Sequence, residues 1–84
     1  MKILMSRDNV TGRKLEYVLQ DLIDDIKEKT SMIENSDKKE KDVIIDGNND
    51  IINHLEKSII IQNDLMAYLA TQLGADKGPS QPRI

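Results

Sequence analysis

The sequence predicts an all-α fold: a two-helix hairpin whose long, heptad-patterned second helix lets copies of the chain dimerise into a helical bundle. Three observations carry this expectation. Apolar residues recur at intervals of three and four along two separate stretches, the spacing of one helical face. A polar run from Asp37 to Asp42, with nothing to bury, parts the two stretches. The core must be aliphatic, because the chain has no Phe or Trp and only two tyrosines, Tyr17 and Tyr68. Ile, Leu and Met pack well between helices.

Residues 1–11 form a basic N-terminal arm. Up to Lys14 the chain carries Lys2, Arg7, Arg13 and Lys14 against Asp8 alone. The first helix is expected over 12–35, with Leu15, Val18, Leu19, Leu22, Ile23, Ile26 and Ile33 on one stripe and Thr30 filling its gap. Thr11 is the expected N-cap, since a hydroxyl there can accept from an orphan amide. This segment reverses the charge of the arm, with Asp21, Asp24, Asp25 and Glu28 among its acids.

Residues 36–48 read as a connector or as the start of the second helix, because Asp46-Gly47-Asn48-Asn49-Asp50 is rich in helix breakers and caps. The second helix is therefore expected over 49–74. Its pattern is the stronger of the two: Ile45, Asn48, Ile52, Leu55, Ile59, Gln62, Met66, Leu69 and Leu73 alternate by three and four without a slip. Ile44, Ile51, Ile60, Ile61 and Leu65 widen the apolar surface beyond what one partner helix covers. The expected oligomer interface is thus Ile52, Leu55, Ile59, Gln62, Met66, Leu69 and Leu73, with the polar Gln62 fixing register against a partner, commonly its own copy. Gly74 suits the end of the helix. Residues 75–84, with Gly78, Pro79 and Pro82, are expected to be a flexible tail. The alternative architecture packs two short strands, Lys2 to Met5 and Val43 to Asp46, on the helices.

Length explains why copies are needed. A single domain of 84 residues buries a small share of its surface, and with no Cys and one histidine, His54, neither a disulfide nor a Cys/His zinc site can staple it. No stretch has the length of a signal peptide or a membrane span, so the expected location is cytoplasmic with no membrane partner.

Chemistry is sparse. Asp46, Asn48 and Asp50 alternate like the start of a calcium loop, yet Ile51 and Lys57 stand where that loop needs Gly and a bidentate Glu. No metal and no cofactor is expected. His54 could pair with Asp50 four residues earlier, but an exposed i,i+4 contact is ordinary helix-surface behaviour, and no catalytic residue is assigned. Arg7, Thr11, Arg13, Lys14 and Tyr17 gather near a helix N-terminus, where free amides attract anions, and form the candidate anion site. A net charge of −3 and the lack of spaced aromatics argue against nucleic acid as the main ligand.

The expected function is that of a non-enzymatic, oligomeric protein-interaction module: an adaptor, inhibitor or regulator whose size and composition suit a phage or mobile-element accessory protein. Its protein partner is of unknown identity. The alternatives are a binder of a small, nucleotide-like anion, and a DNA-binding regulator.

Overall fold

The computed structural model describes residues 2–37 and 39–74, so the expected tail at 75–84 lies outside the described residues. Two helices make up the architecture, α1 (Leu15–Glu34) and α2 (Lys41–Leu73), packed against each other as a hairpin. At about 1.5 Å per residue α2 is about 50 Å long and α1 about 30 Å, so the long dimension of the 52 × 25 × 15 Å chain is α2 itself.

The aliphatic stripe of α1 faces that of α2. Leu19, Ile23 and Ile52 are the buried apolar residues among those described, and Ile23, 1 % exposed, lies deepest. Thr30 and Gln62 are buried with them. Ile26, Ile33, Ile45, Leu55 and Ile59 flank these at intermediate depth. The core is therefore a single line of contacts between two helices.

Two polar ties align the hairpin. Asn48 donates from Nδ2 to the Thr30 hydroxyl at 3.1 Å, and that hydroxyl donates in turn to the Ile26 carbonyl at 2.7 Å. Gln62 donates from Nε2 to Glu16 at 3.5 Å. Glu16 and Thr30 are two heptads apart on α1, and so are Asn48 and Gln62 on α2, so both ties belong to one antiparallel register. That register leaves the last turns of α2 projecting past the start of α1.

The arm folds back on itself ahead of α1. A tight turn pairs Ser6 and Asn9 through both backbone bonds, and Leu4 bridges to Arg13. Asn9 closes the turn by donating from Nδ2 to the carbonyls of Leu4 (2.9 Å) and Lys2 (3.2 Å). The arm explains why α1 starts at Leu15 rather than at residue 12. The Arg13 amide donates to the Ile3 carbonyl and its own carbonyl accepts from Met5, which holds residue 13 extended. Lys14, not Thr11, is the N-cap residue, and it makes no side-chain cap.

Gly12 is fixed by close approach. A Cβ there would meet the Leu4 carbonyl carbon and oxygen and Asn9 Nδ2, each at 2.6 Å. Gly12→Ala is accordingly expected to cost about 1–3 kcal/mol locally. The check is hydrogen exchange: the Met5 and Arg13 amides should lose protection while helix content holds, and unchanged protection would contradict the packing.

The all-α reading holds over its two-strand alternative, and the bounds of the second helix shift. Val43 to Asp46 is helical, and Leu4 makes only an isolated bridge, so there is no strand among the described residues. Of the two readings of residues 36–48, connector or helix start, the second holds from Lys41, so the helix begins there rather than near Asn49 and runs through Gly47. It ends at Gly74, whose φ of 88° is a conformation that residues with a Cβ resist.

Candidate functional site

The more aliphatic of the two uncovered sides of the hairpin is the candidate site. On α1 the row facing α2 is Glu16, Leu19, Ile23, Ile26, Thr30 and Ile33; on α2 it is Ile45, Asn48, Ile52, Leu55, Ile59 and Gln62. Stepping back one residue turns about 100° around a helix. The stepped rows are Leu15, Val18, Leu22, Asp25, Lys29 and Met32 on α1, aliphatic only over its first two turns, and Ile44, Gly47, Ile51, His54, Ser58, Ile61, Leu65 and Tyr68 on α2. Antiparallel helices are related by a two-fold axis normal to their layer, so both stepped rows emerge on the same side. The opposite side carries Gln20, Asp24 and Lys27 beside Asn49, Asn53, Glu56 and Asn63, with Ile60 the aliphatic exception.

Much of this side is exposed. Ile51 is 50 % and Ile61 68 % accessible, and Ile44, Leu22 and Tyr68 are also exposed. Between the helices this side holds a cavity of about 280 Å³, lined by Leu15, Leu19, Ser58, Ile61, Gln62 and Leu65. Four of these belong to the stepped rows. Its wall is aliphatic apart from the Ser58 hydroxyl and the Gln62 amide, and that hydroxyl is occupied with the His54 carbonyl at 3.0 Å. The cavity therefore suits an aliphatic side chain better than a charged ligand.

The residues expected at an oligomer interface divide. Ile52 and Gln62 are buried between the two helices of one chain, Leu55, Ile59, Met66 and Leu69 are half-buried, and Leu73 is exposed. Gln62 finds its polar partner in Glu16 of its own chain. The sequence gives no pairing signal for Glu16 or Thr30, since a carboxylate at a helix start and a Thr in a gap both have ordinary explanations. The neighbouring α2 row was visible as the aliphatic surplus of Ile44, Ile51, Ile61 and Leu65.

The residues of the candidate anion site lie around the arm. Arg7 is in the Ser6–Asn9 turn, Thr11 follows it, Lys14 caps α1 and Tyr17 is exposed in the first turn. The Arg13 guanidinium pairs with the Asp21 carboxylate, so one expected anion ligand already meets a carboxylate of its own chain. Because α2 is helical throughout, Asp46 and Asp50 share an exposed face while Asn48 points about 200° away from it and turns to Thr30. Among the described residues no group of three or more His, Cys, Asp or Glu could hold a metal ion, and no helix is long and apolar enough to cross a membrane.

Compared with protein-family models, with curated proteins and with solved structures, the chain matches none.

Proposed function

We propose that this chain is a non-enzymatic helical interaction module that acts as a homo-oligomer and presents polar and acidic helix surfaces to a protein partner. The observation that carries the reading is the uncovered aliphatic row on α2, which leaves Ile51 and Ile61 in water while only Leu19, Ile23 and Ile52 are buried among the apolar residues described. A hairpin with so short a line of contacts is marginal alone, and small domains without disulfide or metal commonly gain the missing burial from another chain. Asp24 and Glu28 are exposed on α1, away from the aliphatic row, and remain available to a basic partner once that row is covered.

Mass action supplies the test. If oligomerisation stabilises the fold, the melting temperature of the full chain rises with protein concentration, and sedimentation equilibrium gives a mass above that of one chain. A melting temperature that does not move over a hundredfold dilution series, with a monomer mass throughout, would remove the proposal.

A further inference from the structure

We infer that the occupant of the apolar face is α2 of a second copy, lying antiparallel along the row from Gly47 to Tyr68, with the two-fold axis between Ile59 and Ile60. The inference rests on the oligomeric reading above and moves the contact one residue around α2, away from Ile52 and Gln62, which α1 already covers.

Ile44, Gly47, Ile51, His54, Ser58, Ile61, Leu65 and Tyr68 keep the alternation of three and four from end to end, a second heptad seam beside the first. Two seams one residue apart point about 100° apart. Such a helix has one neighbour on each side of a near right angle, as in a square four-helix bundle, and α1 fills only one of those places. The occupant of the other place must be a helix of comparable length, and α2 of a second copy has that length.

Charge selects the orientation and the register. Along the outer edge of the second seam stand Asp50, Lys57 and Asp64, exposed and one heptad apart. In an antiparallel pair the same edge of both helices meets, so an alternating row is complementary to its own reversed copy when the two are staggered by one heptad. Lys57 of each copy then lies beside Asp64 of the other. This register places Ser58 opposite Ile61 of the second copy, which projects that side chain toward the aliphatic cavity around Ser58 and Leu65. It also sets Ile51 opposite Tyr68 of the second copy, covering the end of α2 that projects past α1. The alternative stagger, pairing Asp50 with Lys57, centres the contact toward Ile52, away from both the cavity and the α1 residues Leu15, Val18 and Leu22.

The chain contains no cysteine, so an introduced pair reports cleanly. Chains carrying Ser58→Cys are mixed with chains carrying Ile61→Cys, equilibrated, oxidised and weighed, with Asn53→Cys on the polar side as the control. The expected major product is the 58–61 heterodimer, with little product from position 53. In parallel, Lys57→Asp should weaken association roughly five- to tenfold, and adding Asp64→Lys should restore it, because position 57 of each copy again meets an opposite charge at position 64 of the other. An oligomer by sedimentation with no 58–61 product would overturn this seam and leave the oligomeric reading standing. A parent chain that sediments as a monomer would overturn both.

Discussion

Replacing Ile23 by Ala should lower the unfolding free energy by about 2–4 kcal/mol, the range for a large-to-small change where the surroundings cannot collapse. Ile23 is the one large side chain fully buried among the described residues. It sits in the middle of α1, between Leu19 and Ile26, opposite the central turns of α2. Removing its outer methyl groups leaves a void that two regular helices cannot close without losing the alignment held by Thr30 with Asn48 and Glu16 with Gln62. A domain of this size has a total stability of about 5–10 kcal/mol, so the loss is a large part of it. Denaturant unfolding at one fixed protein concentration measures it. Ile60→Ala on the polar side is the matched comparison, expected within about 0.5 kcal/mol of the parent. Equal effects at the two sites would mean that Ile23 is not central.

Gly47 should respond with opposite signs to two substitutions. Gly47→Pro is expected to cost about 3 kcal/mol or more, because a proline inside a helix removes one backbone hydrogen bond and its ring collides with the carbonyl four residues earlier. Gly47→Ala should gain up to about 1 kcal/mol, since a Cβ at that position meets nothing within 4 Å and alanine has the higher helix propensity. Were residues 46–50 the turn that Asp46-Gly47-Asn48-Asn49 suggests, Pro would be tolerated and Ala would bring no benefit. Thermal unfolding followed by circular dichroism, with both variants at the same concentration, separates the cases.

That position also marks where reading the sequence stopped being sufficient. The existence of two helices and their inward stripes was legible because Leu19, Ile23, Ile52 and Ile59 keep the helical period unambiguously. The start of α2 was not. Local propensity at Gly47 and the two asparagines favours a break, but Ile44 and Ile45 continue the apolar rows and Asn48 gains a long-range partner in Thr30. Those tertiary terms exceed the roughly 1 kcal/mol that a glycine costs a helix. The start of α1 was misplaced for a related reason: the pairing of Arg13 with Ile3 and Met5 joins residues ten and eight apart, and no local pattern announces it. At the candidate site the aliphatic surplus of Ile44, Ile51, Ile61 and Leu65 on α2 was legible. Which of the two adjoining rows α1 would take depended on polar partners for Asn48 and Gln62 that only the folded chain brings together.

The paired ladder of Thr30 with Asn48 and Glu16 with Gln62 also governs slippage. Sliding α2 by seven residues keeps its stripe facing α1, yet in one direction Asn48, and in the other Gln62, lands on Ile23. Thr30 then meets Lys41 or Leu55. Each stranded amide or hydroxyl costs about 1–3 kcal/mol, so neither neighbouring alignment competes. With the alignment settled by side chains, the short link between Glu34 and Lys41 need not act as a ruler. Lengthening it adds only the slow logarithmic penalty of loop closure, about 0.6 kcal/mol per doubling, which makes that link a natural place for inserted sequence.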